Sequence, residues 1–459
     1  MKNLFTLIVT LLIVSSGTIL SQQKVWTLEE CIGYAIDNNI QIKQQVVQTE
    51  YQKNTLDLAK LKLLPTLSGQ ATHNYTFGRA LDQTTYQYTD HQTVQSNNFY
   101  VGGNLNLFSG LTNYNTIKKD EFLVLAGAQD LQNIKDNIAL NVALYYLQIL
   151  LNKELVTANN NQLQITRQQI ERTKKLVDAG SVARGNLLQI EAQAAQEELQ
   201  LVNMKNLLDV SYLNLTQLLE LKSVVGFEVI VPEIGIDTNA VITGNVDDIF
   251  AAAIGNRPEV KSSELTLKAS EYDLKISQGG RYPRLSLNHS FSTGYSDVRK
   301  KVLGLDPTTF QPIYGKYSFP DQVNDNVSWG LGFTMSVPIL NGWQINKNVS
   351  NTKLSIKNNE FALEGTKKTL YKNIQQAYAD AVASFKKFTA SKKAITSMEE
   401  SFRYTEQKFD VGLVTPVDYN ASKTQLLKAQ SDLAQAKYEY IFKTKVLDFY
   451  KGLPLNLSK

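Results

Sequence analysis

This chain is written twice, and no other feature of the sequence limits its fold as much. Ala35-Ile36-Asp37-Asn38-Asn39-Ile40 returns as Ala253-Ile254-Gly255-Asn256-Arg257-Pro258, and Pro65-Thr66-Leu67-Ser68 returns as Pro283-Arg284-Leu285-Ser286, both 218 residues later. Farther along the offset is 232, where Phe108-Ser109-Gly110 answers to Leu340-Asn341-Gly342 and Ala179-Gly180-Ser181-Val182 to Val411-Gly412-Leu413-Val414. Self-similarity at this scale obliges the fold to contain two equivalent halves. The first occupies 22–223 and the second 246–459, with 224–245 (Pro232, Gly235, Gly244) as an equatorial linker. The 14 extra residues of the second copy fall where Pro307, Pro312 and Pro320 mark a loop.

Each copy contains one very long helix. The runs 111–178 and 343–410 are each 68 residues without proline, interrupted only by Gly127 and Gly365. At 1.5 Å per residue such a helix extends about 100 Å. Apolar residues step by threes and fours, as Leu131, Ile134, Ile138, Val142, Tyr145 and Ile149 in the first and Leu370, Ile374, Ala377, Ala381, Phe385 and Phe388 in the second. The helices that follow the Gly breaks carry Leu188, Ala192, Ala195, Leu199 and Val202, then Leu426, Ala429, Leu433, Ala436 and Tyr440. This spacing, rich in alanine, predicts close coiled-coil packing.

The rest of each copy alternates with period two. Strands are predicted at about 66–78, 97–108, 284–296 and 326–338, each with one apolar and one uncharged polar face. Runs of about 10 residues suit a tilted membrane-crossing strand. Tyr75, Phe77, Tyr295 and Trp329 lie near the ends, as in an interfacial aromatic belt. The apolar run 4–14 after Lys2 reads as a secretory signal, giving a signal peptide of 1–21, and is too short to span a bilayer. Four strands cannot enclose a lumen, and open edges cannot face lipid. A trimer, with 12 strands, is the smallest assembly that gives the polar faces a channel to line.

Little material is left for catalysis. The single cysteine, Cys31, excludes a disulfide framework and reads as a small buried residue of the first helix. His73 and His289 fall on apolar strand faces and His91 in a loop, so no catalytic constellation or cofactor site is expected. A net charge of +4 with no basic stripe gives no reason to expect nucleic acid.

The order helix, strand, strand, long helix, Gly break, return helix, run twice, resembles the TolC family of outer membrane efflux proteins. The resemblance rests on Leu63-Leu64-Pro65-Thr66-Leu67, the Phe108-Ser109-Gly110 strand exit, and Val411-Gly412-Leu413-Val414-Thr415 followed by Asp418-Tyr419-Asn420-Ala421. It covers nearly the whole chain beyond the signal. It implies an α+β membrane protein: a homotrimer whose 12-stranded β-barrel, four strands per chain, sits in outer-membrane lipid of a Gram-negative bacterium. A long coiled-coil α-helical barrel would continue it as a periplasmic tube. The implied partners are a periplasmic adaptor (membrane fusion) protein and an inner-membrane pump, proton-driven or ABC type. The implied function is an exit duct for efflux or type I secretion, not an enzyme; the alternative is a structural or adhesive outer-membrane protein with a periplasmic stalk. By the same resemblance Gly180, Ser181, Val182, Val411, Gly412, Leu413, Val414 and Thr415 form adaptor-docking tips, and Asp418 with its first-copy counterpart Asn186 lines the aperture. The family's second aspartate falls on Ala421. Segments 78–96 and 296–326 are expected outside the cell, since the longer loops of such barrels face outward.

Overall fold

The computed structural model describes residues 25–79, 81, 88, 92–232, 235 and 245–457. The signal peptide, His91, much of the 224–245 linker and part of the 78–96 loop lie outside the described residues. In order, the elements are β1 (Val25–Trp26), α1 (Leu28–Asn38), α2 (Ile40–Leu61), β2 (Thr66–Gly78), β3 (Gln92–Ser109), α3 (Thr112–Asp178) and α4 (Arg184–Leu218), then β4 (Glu228–Val229). The second copy supplies α5 (Val246–Ile254), α6 (Pro258–Gly279), β5 (Arg284–Ser296), β6 (Lys300–Leu305), β7 (Pro312–Lys316), α7 (Phe319–Asp325), β8 (Ser328–Ser336), α8 (Gln344–Asp410) and α9 (Pro416–Tyr450).

The longer corresponding helices of the two halves are equal in length. α2 and α6 have 22 residues each, α3 and α8 have 67 each, and α4 and α9 have 35 each. The long helices begin one residue later than their proline-free runs because Gly110-Leu111 and Gly342-Trp343 turn the chain with positive φ (65°, 61°, 58° and 65°). Leu111 and Trp343 still offer their carbonyls to Asn115 and Lys347, the first bonds of each helix. A left-handed leucine or tryptophan costs about 1–2 kcal/mol, so the abrupt strand-to-helix corner is maintained by its surroundings.

Two compact units result, each drawing on both copies. One, formed by 48–128 and 262–363, contains the antiparallel sheet in the order β2-β3-β5-β8. Three strands match expectation closely, while β3 begins at Gln92 and runs 18 residues. The extra segment of the second copy is not a bare loop: β6 and β7 pair as a hairpin, and Ser318 caps α7 by accepting from the Asp321 amide. Pro320, read as a loop marker, instead sits in the first turn of α7, where its missing N–H costs nothing.

The other unit, 1–47, 129–261 and 364–459, is helical and centres on one apolar cluster. Ile138, Val142 and Ile149 of α3 are buried there with Cys31, Ala35, Leu215 and Ile441. The short strand β1 pairs in parallel with β4, and the Tyr146 hydroxyl donates to the carbonyls of Trp26 (3.1 Å) and Ile230 (2.7 Å) across that seam. Leu188, Leu199 and Val202 of α4 are 54%, 62% and 56% exposed, while Ile190, Glu197 and Leu201 are buried instead. α4 has two usable stripes, and the chain packs on the one that includes a glutamate, leaving the more regular apolar stripe open. The matching α9 stripe is half-buried to buried, with Ala436 and Tyr440 packed on Phe388.

Candidate functional site

Three places in the fold bear on function: the two hairpin tips, a polar knot between the hairpins, and the two faces of the sheet. The tips are built by the same backbone device. α3 closes with Ser181 N–H donating to Leu176 O and Gly180 N–H to Val177 O; α8 closes with Leu413 N–H to Lys408 O and Gly412 N–H to Phe409 O. Gly180 and Gly412 take φ of 74° and 77°, the left-handed residue that this paired-bond helix ending requires. A Cβ at either glycine would meet nothing within 4 Å, so the backbone angle, not space, selects glycine. Val411 and Leu413 are 70% and 74% exposed, Gly180, Ser181 and Thr415 are exposed, and Val182 and Val414 are half-buried. The second tip therefore presents two bare aliphatic side chains to its surroundings.

The re-entry into the return helix differs between copies. Thr415 caps α9: its hydroxyl accepts from the Asp418 amide (3.2 Å) and donates to Asp418 Oδ2 (2.7 Å), with Pro416 opening the first turn. This reciprocal arrangement satisfies an otherwise orphaned amide and places a carboxylate at the positive end of the helix. Asp418 is exposed. In the first copy Ala183 supplies no side-chain cap, and half-buried Asn186 takes the corresponding third position. Arg172 of α3 donates to Asp410, the last residue of α8, at 2.5 Å on the exposed surface. One turn into α9, Tyr419 is 1% exposed and packs on Phe409 and Phe402, with ring centroids 4.5 Å and 5.4 Å away. Burial pushes its phenol up to about 12, and its hydroxyl lies by Gln169 without completing a hydrogen bond.

Four residues farther on is a feature the sequence reading missed. Lys423 of α9 is fully enclosed, donating to Gln162 O (3.1 Å) and Thr166 Oγ1 (2.5 Å) of α3, with Glu197 Oε1 of α4 at 3.7 Å. Glu197 also accepts from Thr166, from Gln162 Nε2 (3.3 Å) and from Gln193 Nε2 (3.0 Å). Burial lowers the lysine pKa from its ordinary value and Glu197 opposes that shift. A signal was available: Lys423 is in phase with Tyr419 and Leu426 on the packing stripe of α9.

The sheet separates its chemistry by face. Registered neighbours Phe99, Thr293, Phe291 and Trp329, with Leu331, Phe333 and Met335, lie on one side. On the other, Asn104 Nδ2 donates to Asn288 Oδ1 (2.7 Å) and Asn288 Nδ2 to Thr334 Oγ1 (2.9 Å), a polar ladder across three strands. His73 and His289 are on the apolar side; His73 contacts the Asn97 side chain and the edge of Tyr75. Among the described residues, the outer strands β2 and β8 each have one unpaired edge. Among the described residues no helix is long and apolar enough to cross a membrane, and no group of three or more His, Cys, Asp or Glu converges.

Comparison with known proteins gives a consistent picture. The sequence profile of the family described as "Outer membrane efflux protein" matches residues 31–220 and 250–448. The outer membrane protein TolC of Escherichia coli (strain K12) is 23% identical over 423 residues, covering 88% of this chain and 78% of that protein. The outer membrane efflux protein BepC of Brucella suis biovar 1 is 19% identical over 430 residues, 93% of this chain and 86% of its own. Among solved structures, the Campylobacter jejuni CmeC outer membrane channel superposes with a TM-score of 0.75 at 16% identity, over 94% of this chain and 87% of that one.

Proposed function

The chain belongs to the outer membrane efflux protein family, and from that premise we propose that it is the outer-membrane exit duct of a tripartite efflux or secretion assembly. It is an outer membrane protein whose family and fold are those of channels. The observation that carries the proposal is the open four-stranded sheet, apolar on one face, polar on the other and unpaired at β2 and β8. Unpaired strand edges are too costly to leave in lipid, so β8 of one copy joins β2 of the next, and three copies close 12 strands around the Asn104–Asn288–Thr334 ladders. The open stripe of Leu188, Leu199 and Val202 on α4 supports the same conclusion from the helical unit, since it needs a second chain to cover it.

In this reading the duct is passive, and energy comes from an inner-membrane pump through a periplasmic adaptor. The tips at Gly180–Val182 and Val411–Thr415 are the adaptor contact, because exposed Val411 and Leu413 offer apolar area on a rigid capped turn. Asp418, on the uncovered side of the first α9 turn, faces the aperture, with Asn186 as its uncharged first-copy partner. The test combines two measurements on detergent-extracted protein. Light scattering should return three times the chain mass, and planar bilayers should show discrete conductance steps. A stable monomer that retains its strands, or a trimer without conductance, overturns the proposal.

A further inference from the structure

The polar face of the sheet is uncharged except at one residue. The strands Thr66–Gly78, Gln92–Ser109, Arg284–Ser296 and Ser328–Ser336 contain no aspartate, glutamate or lysine, and their single arginine is Arg284. It opens β5, opposite Ser336 of β8 and Ser109 of β3. Strand alternation puts it on the side of Ser286, Asn288 and Ser290, the side of the Asn104–Asn288–Thr334 ladder. Thr66 has the matching place in the first copy, so the charge is present once per chain rather than twice.

The charge has no counter-charge nearby. Arg284 is exposed, and among the described residues no hydrogen-bond or ion-pair partner engages its guanidinium. The corners where helices meet strands, residues 61–66, 109–112, 279–284 and 336–344, contain Lys62, Arg281 and Arg284 and no carboxylate. Arg281 is occupied, donating to Asn346 Oδ1 of α8 at 2.8 Å. An arginine that anchors a strand to lipid headgroups belongs on the apolar face, and Arg284 is on the opposite one. A guanidinium keeps its proton at any physiological pH, and a cation left open on a wet, concave surface draws mobile anions toward it.

We propose that Arg284 is the charge filter of the barrel: three copies form a cationic ring at the mouth where the sheet meets its helices, favouring anionic solutes of the carboxylate or phosphate class over cationic ones. This rests on the trimeric duct proposed above and adds a preference to it. Twelve strands about 4.8 Å apart and tilted by about 40° make a backbone circle roughly 24 Å across, and an extended arginine covers more than half of that radius. Even at about 10 Å from the axis, three unit charges screened over one Debye length enrich a monovalent anion about twofold and deplete a cation equally. The anion-to-cation permeability ratio should therefore be raised about fivefold at 0.1 M salt.

Reversal potentials of single channels of the full-length protein, in planar bilayers under a potassium chloride gradient around 0.1 M, read that ratio. An Asp418→Ala background keeps any carboxylate at the aperture from opposing the ring. In it, Arg284→Gln should lower the ratio about fivefold, Arg284→Glu should lower it further, and Arg284→Lys should retain it. Around 1 M, where the Debye length is about 3 Å, all four should converge. Potassium acetate in place of chloride should preserve the order. Thr66→Arg, which adds a second charge per chain at the matching place, should raise the ratio, and it serves even if substitutions at 284 yield no channels. An unchanged ratio in Arg284→Gln or in Thr66→Arg, or a difference that persists around 1 M, overturns the filter. Equal loss in Arg284→Lys and Arg284→Gln overturns it too and makes Arg284 a structural residue, while loss of the order in acetate overturns the carboxylate preference. Absence of channels in the unsubstituted protein removes the duct itself, and the filter with it.

Discussion

The buried Lys423 knot yields the sharpest quantitative expectation. Lys423 and Glu197 are 2% and 7% exposed, and the ammonium reaches only Gln162 O, Thr166 Oγ1 and, at 3.7 Å, Glu197. Replacing Lys423 by Met leaves the Glu197 carboxylate enclosed with neutral donors alone. Replacing Glu197 by Leu leaves an ammonium with one carbonyl and one hydroxyl. Removing one partner of a buried pair costs about 3 kcal/mol or more, while exchanging both for apolar groups of similar volume is close to neutral. The double variant Lys423→Met/Glu197→Leu should therefore regain most of what either single change loses. Native-state hydrogen exchange reads this locally and does not require reversible unfolding of an oligomer. A loss of 3 kcal/mol corresponds to exchange faster by about a hundredfold, expected for α9 amides near 423 and α4 amides near 197 in each single variant. Distant amides, such as those of β5, should not change. If both single variants exchange within about threefold of wild type, or if the double is as fast as the sum of the singles, the knot carries no coupling and the reasoning is wrong.

Gly412→Leu forces a branched side chain into a left-handed residue at a tip with open space, so the yield of the proposed trimer should be retained while export falls to background; unchanged cargo export would separate the tip from docking. Asp418→Ala removes the carboxylate but leaves Thr415 capping the helix, so single-channel recordings should show reduced cation preference and weaker divalent block with intact assembly; unaltered selectivity and block would make it a helix-capping residue alone. Alkali should unfold the helical unit. Burial raises the phenols of Tyr146, Tyr212, Tyr438 and Tyr419, the last to about 12, so their stabilisation is full below the ordinary phenol value of 10.0 and is lost as pH climbs past it. Lys423, whose pKa is lowered, acts in the opposite sense and gains stability as pH approaches 10.5. The helical dichroism signal should accordingly fall above pH 10, and a flat signal to pH 12 would refute the balance.

What the sequence disclosed, and what it withheld, follows from the range of each interaction. Helix and strand limits were legible because they are set locally: proline-free runs delimit α3 and α8, period-two alternation delimits β2 and β5, and Gly180 and Gly412 mark the breaks. The corners at Leu111 and Trp343 were missed because no propensity points to a bulky left-handed residue; the context of Gly110 and Gly342 makes the turn. Choosing between the two stripes of α4 was beyond periodicity, since Ile190 and Leu201 compete with Leu188 and Leu199 on equal hydrophobic terms. The outcome depended on Glu197 finding Lys423, a partner 226 residues away in sequence. In the inserted segment, turn signals were visible but their use was not, because Ser318 ahead of Phe319-Pro320 is a helix start as readily as a loop.

The differences between the two copies then separate geometry from chemistry. Lengths and helix endings are kept to the residue: 67 and 67, 35 and 35, with paired-bond endings after α3, α4, α8 and α9 alike. Even Glu220 adopts the positive φ that Gly452 takes at the matching place. Such equality is what two hairpins need if their tips are to contribute to one ring. Polar positions diverge instead. Thr415 and Asp418 face Ala183 and Asn186, Lys423 faces Glu191, and Gln162, Thr166 and Glu197 face Ala394, Met398 and Ala429. The knot takes three members from the first copy and one from the second, and the reciprocal set of Ala394, Met398, Ala429 and Glu191 could not enclose a charge. A buried polar contact present on only one of two equivalent seams distinguishes those seams. In an assembly where α9 of the second copy has coiled-coil neighbours on both sides, it selects the hairpin of its own chain as the partner held by charge, and leaves the opposite seam, with its open α4 stripe, to apolar packing alone.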